Sequence, residues 1–358
     1  MKFFSKEDKT ALEAIEEAQR IAFAPMLFQA ARVLRDSGIL HEIELSRDHG
    51  LRIEEVAQKI KLSHYGIRVL LEAGLGIGLL TIDADKYKLT KTGYFILNDK
   101  LTRINMDFMH DVCYQGAFYL DKAIENGRPE GLKVLGDWKT IYEGLSTLPG
   151  KSKESWFAFD HYYSDNAFPD VLPYVFEKKP RKILDIGGNT GKWALQCVKH
   201  DPSVSVTIMD LPGQLNMAKA EVQKAGYDNR VHFHQANLLD EAQPFPTGFD
   251  VIWMSQFLDC FSDDQIVSIL KRCQAALNKN GTVFILELFW DRQRFKASSF
   301  ALQQTSLYFT TMANGNSQMY NSEVFLKFVE QAGFTVATMV DLGITHTLLR
   351  CEQNKTNP

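Results

Sequence analysis

The chain has 358 residues, 45% of them apolar, which is enough for two domains with cores of ordinary size. Its formal charge of −4 lacks the basic excess of a phosphate-binding surface, so neither a nucleic-acid nor a membrane partner is expected. Nowhere do about 18 apolar residues run together, the start Met1-Lys2-Phe3-Phe4-Ser5-Lys6 turns polar at once, and the five cysteines include no CxxC pair; a cytoplasmic protein with buried thiols, no disulfide framework and no metal site is expected.

In chain order, residues 7–38 carry Leu12, Ile15, Ala18, Ile21, Ala22 and Met26 near helical spacing, a long amphipathic helix broken or kinked at Pro25 whose apolar side needs a partner. Residues 53–60 give a second helix, Leu62-Ser63 a turn and 64–73 a third helix. Residues 79–91, turning at Asp83-Ala84-Asp85, give a hairpin, and the whole reads as a helix-turn-helix with a wing. A DNA-binding reading is poorly supported. Between 51 and 94 seven basic residues face five acidic ones, and the third helix offers His64, Tyr65 and Arg68 before turning apolar at Val69-Leu70-Leu71. Residues 101–170 form a helical connector rich in aromatic residues, from Phe108 and Tyr114 to Trp156, Tyr162 and Tyr163. Strands are expected at 182–186, 204–209, 231–235, 249–254, 281–287, 334–340 and 344–350, with helices near 191–200, 213–226, 263–278 and 322–332. That alternation predicts an α/β fold with a Rossmann-like, doubly wound, seven-stranded sheet over 171–358, beside a mainly helical domain over 1–100.

Residues 183–191, Ile-Leu-Asp-Ile-Gly-Gly-Asn-Thr-Gly, end a strand in a carboxylate and run through a glycine turn into a helix, the arrangement of a nucleotide cradle. A dinucleotide fingerprint would need glycine at 186, where Ile186 stands; the pattern is instead D-x-G-x-N-x-G from Asp185 through Gly187 and Asn189 to Gly191. Asp210 ends the second strand 19 residues past Gly191, where an acid can bind ribose hydroxyls and would repel a 2′-phosphate.

Here the chain resembles the class I S-adenosylmethionine (SAM) dependent small-molecule O-methyltransferases, those acting on hydroxyneurosporene, acetylserotonin and plant phenolics, over nearly its whole length. The resemblance implies that the turn with Asp185, Gly187, Gly188 and Gly191 holds the methionine part of SAM, and that Asp210, followed by Leu211-Pro212, holds ribose. It puts Asn237 and Leu238 at adenine, with an amide replacing the usual acid, and Ser164, 21 residues before Asp185, near the SAM carboxylate. It also implies that the N-terminal module makes a homodimer.

The loop Ser255-Gln256-Phe257-Leu258-Asp259-Cys260-Phe261 precedes a capping box, Ser262 to Gln265, and lies at the carboxyl end of a strand, where ligands of such sheets bind. Ser255 and Gln256 are expected at the cofactor. The resemblance aligns Asp259 with the family's catalytic histidine and Met319 with the glutamate that orients it, so the usual base is missing. A carboxylate near ~4 accepts a proton poorly from a phenol near ~10 unless desolvation raises it. His161, one turn before Ser164, is a second candidate base, and Glu287, ending the strand 281–287, is a further rim carboxylate. A flat apolar acceptor bearing a hydroxyl is expected among Met109, Trp156, Asp160, Phe289, Trp290, Tyr308, Phe309 and Met312. Loss of the His–Glu pair leaves open a relative that binds SAM without methylating, and the wing leaves open a SAM-responsive regulator.

Overall fold

Two helices stand where the periodicity predicts one interrupted helix over 7–38: α1 (Ala11–Ala22) and α2 (Ala24–Asp36). Thr10 and Glu13 form a reciprocal capping box at the start of α1. Pro25 sits in the first turn of α2, where its missing N–H needs no partner, so it starts a helix rather than kinking one. None of the α1 side chains is buried, and Leu12, Ile15 and Ile21 are exposed.

The computed structural model describes residues 3–164 and 167–354, without the Ser164 side chain, and the chain divides into two units between Met109 and His110. The first unit continues with α3 (Ile39–Leu45), α4 (Ile53–Lys59) and α5 (His64–Ile77), the last capped by the Ser63 hydroxyl. An antiparallel hairpin follows, β1 (Leu80–Asp83) and β2 (Lys86–Leu89), turned by Ala84 and Asp85 at positive φ, as a two-residue turn of this hand requires. Then come α6 (Lys91–Asn98) and α7 (Lys100–Phe108). Leu34, Ile39, Leu40, Ile43, Val56, Ile67 and Leu71 are fully buried at the centre of this unit.

The second unit opens with α8 (Leu120–Asn126), α9 (Ile141–Gly144), α10 (Gly150–Ser164) and α11 (Phe168–Val175). The doubly wound part follows as β3 (Lys182–Ile186), α12 (Lys192–His200), β4 (Ser205–Asp210), α13 (Pro212–Ala225), β5 (Val231–Gln235), β6 (Phe249–Ser255), α14 (Asp263–Ala276) and β7 (Leu277–Glu287). It ends with α15 (Lys296–Tyr308), α16 (Ser322–Gln331), β8 (Phe334–Leu342) and β9 (His346–Gln353). The sheet order is β5-β4-β3-β6-β7-β9-β8, parallel up to β7, with β9 antiparallel to both β7 and β8. All seven expected strands are present within a few residues of their predicted bounds; α15 answers to no predicted element.

Side-chain alternation along each strand splits the core in two. Ile183, Val206, Ile208, Val251 and Trp253 pack with α11, α12 and α13, whereas Leu184, Ile186, Ile252 and Met254 pack with α14 and α16. Burial of each such side chain contributes about 1.5–3 kcal/mol. The chain leaves β3 toward β4 and β5 and returns to β6 on the other side, so the strand order reverses between β3 and β6. Ligands of open α/β sheets bind outside the strand ends at such a reversal.

Candidate active site

A cavity of about 340 Å³ opens at that point, walled by the ends of β3, β4 and β6 and by segments of α9, α10, α12 and α13. Its floor is the β3 turn. Gly187 and Gly191 have φ of +74° and +79°, and Asn189 also has positive φ, so the turn is closed by left-handed residues. The Gly187 N–H donates to the Met209 carbonyl at 2.9 Å and the Asn189 N–H to Asp210 Oδ2 at 2.9 Å. The other Asp210 oxygen accepts the Leu211 N–H at 2.7 Å. Burial pushes the Asp210 carboxyl up to about 6 against the pull of these two amides.

Asp185, Gly187, Gly188, Asp210, Leu211, Asn237, Leu238, Ser255 and Gln256, all expected at the cofactor, line this one cavity. Gly191 stands behind the wall as the N-cap of α12. The Ser164 side chain lies outside the described residues. Asp185 is buried in β3 between Ile208 and Trp253, and its carboxyl is raised well above the usual range by desolvation and by Asp210. Asn237 Oδ1 accepts the Leu239 N–H at 3.1 Å, so the amide oxygen is engaged by its own loop.

Of thirteen buried polar side-chain atoms without a hydrogen-bond partner among the described residues, six belong to this wall: Asp185 Oδ2, Asn189 Oδ1, Trp193 Nε1, Trp253 Nε1, Ser255 Oγ and the Tyr142 hydroxyl. Such atoms are costly in a finished interior and concentrate where a polar ligand completes them. The set mixes acceptors with indole donors, and Trp193 stacks on Trp253 with ring centroids 4.1 Å apart. Sequence reasoning missed Trp193, Trp253, Tyr142 and Phe257. The indoles are read locally as core, and Tyr142 reaches the wall from a connector whose route no motif announces.

A smaller compartment of about 50 Å³ adjoins the first and shares Tyr142, Trp156, Asp160, Gln256 and Cys260 with it. It adds Asp259, Tyr308, Phe309 and Met319. Trp156 Nε1 donates to the Tyr308 hydroxyl at 2.8 Å. Asp259 is 5% exposed, takes the Cys260 thiol at 3.4 Å, and burial with nearby Asp160 pushes its carboxyl up to about 7. Asp160 Oδ2 accepts from Asn189 Nδ2 at 3.0 Å and lies 3.8 Å from His161 Nδ1; His161 lines the larger cavity.

Glu287 lines neither compartment. Its Oε1 accepts the N–H groups of Phe257 at 3.1 Å and Leu258 at 2.9 Å, fastening the loop that carries Asp259, and desolvation with Asp259 holds its carboxyl well above the usual range. Phe289 packs on Phe325 in the core, Met312 is fully buried with its sulfur against Gly116, and neither lines a compartment. Met109 belongs to the N-terminal unit.

Residues 170–335 match the O-methyltransferase domain family, and residues 16–87 match a dimerisation2-like domain. The chain belongs to the S-adenosylmethionine-dependent O-methyltransferases. It is 28% identical to a 3-hydroxy-5-methyl-1-naphthoate 3-O-methyltransferase of Streptomyces sahachiroi over 78% of each chain. It is 23% identical to the N,N-dimethyltransferase OxyT of Streptomyces rimosus, over 91% of this chain and 93% of that one. An O-methyltransferase from neocarzinostatin biosynthesis, solved with S-adenosylhomocysteine and 1,4-dihydroxy-2-naphthoic acid, shares the fold at a TM-score of 0.65 and 19% identity, covering 92% of this chain and 95% of that one. None of these carries the name of a hydroxylase, a decarboxylase or a regulator. The cofactor of the methyltransferase is SAM, and the unpartnered donors and acceptors of the larger cavity fit its amino-acid and ribose groups. No helix of the described residues is long and apolar enough to cross a membrane.

Proposed function

We propose that the enzyme methylates a hydroxyl of a flat aromatic acceptor seated at the smaller compartment, with Asp259 as the proton acceptor. One observation carries this reading: the carboxyl that takes the place of the family histidine is buried in the wall of the smaller compartment, next to Cys260, which lines both compartments, and its burial pushes it up to about 7. Bound SAM supplies an electrophilic methyl group. Asp210 would hold the ribose hydroxyls, Asp185 and Asn189 the methionine ammonium, and Asn237 and Leu238 the adenine. Trp156, Tyr308 and Phe309 give the acceptor ring an aromatic wall, and the Trp156–Tyr308 hydrogen bond keeps that wall rigid. An oxygen that attacks becomes more acidic as it bonds to carbon, so a base near neutrality can take its proton within the same step. The test is release of S-adenosylhomocysteine from SAM with a panel of naphthols and phenols. Turnover with at least one of them is expected, and tight SAM binding with no turnover on any of them sinks the reading.

A second reading rests on His161, whose ring lies beside Asp160 on the cavity wall as an imidazole and carboxylate pair. Here His161 takes the proton, and the Asp160 carboxylate 3.8 Å from its Nδ1 stabilises the imidazolium that forms.

Ribose binding has its own pH signature. Hydroxyl donors favour the ionised carboxylate of Asp210, so binding lowers its pKa from about 6, and protonation weakens binding. The Kd for S-adenosylhomocysteine should be flat above pH 7 and about tenfold weaker at pH 5, by proton linkage. Calorimetric titrations across that range, repeated on Asp210→Asn, should show the dependence shrink in the variant.

The uncovered apolar side chains of α1 support a homodimer built through the N-terminal unit, checked by a solution mass of two chains. All five cysteines are unpaired, which supports a reducing, cytoplasmic setting.

A further inference from the structure

We infer that His346 is a positioning residue for methyl transfer: from behind the wall it holds the Gln256 amide against the acceptor and ties it to the helix on the opposite wall. This rests on the reading of the smaller compartment as the acceptor's place. Gln256 lines both compartments, so on that reading it borders cofactor and acceptor alike. Its backbone is left-handed, with φ of +46°, a conformation that a residue with a Cβ keeps only where its surroundings over-determine it. Two contacts hold it. The Gln256 N–H donates to the Leu286 carbonyl at 2.8 Å, and the side-chain amide nitrogen lies 3.3 Å from His346 Nε2.

His346 opens β9, and because β9 runs antiparallel to β7, this first residue lies at the edge of the sheet where the parallel strands end. The ring is buried, lines neither compartment and has no part in the proposed proton transfer. It donates an N–H to the Tyr163 carbonyl of α10, and its Nδ1 lies 3.1 Å from the Thr345 hydroxyl. Tyr163 and Gln256 both line the smaller compartment, so one imidazole joins the α10 wall to the loop after β6 and fixes their separation. The ring's chemistry suits that task. A neutral imidazole offers one donor and one acceptor in a single plane; the donor serves Tyr163, and the acceptor nitrogen is left for the amide or the hydroxyl beside it. Desolvation brings its pKa down to about 4, so the ring stays neutral and keeps that acceptor near pH 7. An imidazolium would be a donor at both nitrogens and would turn the amide nitrogen away. The acceptor's oxygen must lie in line with the methyl carbon and the sulfur, and a displacement of about 1 Å can lower the rate 10²-fold.

The experiment measures kcat and KM on the full-length enzyme, with SAM and a naphthol or phenol that it turns over, for His346→Phe, Gln256→Met and the double variant. Each single variant is expected to lower kcat/KM by about 10- to 100-fold. In the Gln256→Met background, His346→Phe should remove less than about threefold more, since the group it positions is already gone. His346→Gln, whose amide reaches the place of Nε2, should keep activity within about threefold of the wild type, whereas His346→Asn, whose amide reaches only the place of Nδ1, should not. S-adenosylhomocysteine binding should stay within about threefold in every His346 variant, as evidence that the fold and the larger cavity are intact. Where that binding is lost in His346→Phe, His346→Asn takes its place in the cycle. An equal loss from the His346 substitution in both backgrounds shows a histidine that serves the fold alone and overturns the inference. Wild-type activity in His346→Phe or in Gln256→Met overturns it as well, as does failure of His346→Gln to keep activity, and each of these leaves the proposed function standing. No turnover of any acceptor despite SAM binding overturns both readings together.

Discussion

Asp259→Asn is expected to lower kcat for O-methyl transfer by about 10²- to 10³-fold, the range lost with a positioned general base, while the Kd for SAM stays within about threefold. The substitution keeps the shape of a buried side chain on a loop that Glu287 fastens from behind, so the loop should hold its course. What disappears is the proton acceptor. In the wild type, kcat/KM should rise with pH through about 7, because the base must be ionised to act. The groups facing it are Asp160 from α10, Glu287 at the end of β7, the neighbouring Cys260, and the hydroxyls of Tyr142 and Tyr320. Burial, then Asp160, keeps its pKa high; none of these groups is a cation that would lower it. The variant should lose that limb. Stability should move the other way. A carboxyl whose folded pKa stands near 7, above its ordinary 3.8, disfavours the native state once it ionises, so the fold loses stability as pH rises between those values. The Asn variant escapes that loss, and its Tm at pH 8 should be no lower than the wild-type value. Should His161→Asn remove the limb and Asp259→Asn leave it, the base is His161.

The strands and the cradle were legible because both are local. An apolar run followed by Asp-x-Gly-x-Asn-x-Gly shows where β3 ends, and an acid closing the next strand shows where Asp210 must stand. Side-chain direction at the strand ends was not legible. Glu287 closes β7 in the position of a rim carboxylate, yet it turns beneath the 257–259 loop and takes two amides. Phe289 follows the same strand and turns into the core against Phe325. Both outcomes depend on which neighbour fills the adjacent space. Tyr142 was missed for a related reason: α9 has four residues, and Tyr142 is brought to the wall where the Gln214 side chain bonds its carbonyl, 72 residues away in sequence. Helix α15 was missed because its buried side chains are only Ser299, Leu302 and Tyr308, too few and too polar to mark an apolar stripe.

Gly187→Ala should cost the enzyme its SAM affinity, with Kd weakened by about 100-fold or more, a loss near 3 kcal/mol. Two independent obstacles meet at this position. The backbone is left-handed, with φ of +74°, where a Cβ costs about 1–2 kcal/mol. The added carbon would also collide with the Phe257 ring. Phe257 cannot yield easily, since its N–H is held by Glu287 and its ring packs on Phe261 with centroids 4.9 Å apart. Either the glycine turn or the 257–261 loop must shift, and both line the larger cavity. The turn carries the Asn189 N–H to Asp210, so its displacement also frees the ribose carboxylate. Gly226→Ala supplies the control: φ there is +75°, and an added Cβ meets nothing within 4 Å. That variant pays only for the backbone, about 1–2 kcal/mol in a thermal melt, and should bind SAM as the wild type does. Calorimetry on the pair separates strain from collision. Wild-type affinity in Gly187→Ala would mean that the turn after β3 does not shape the cofactor site.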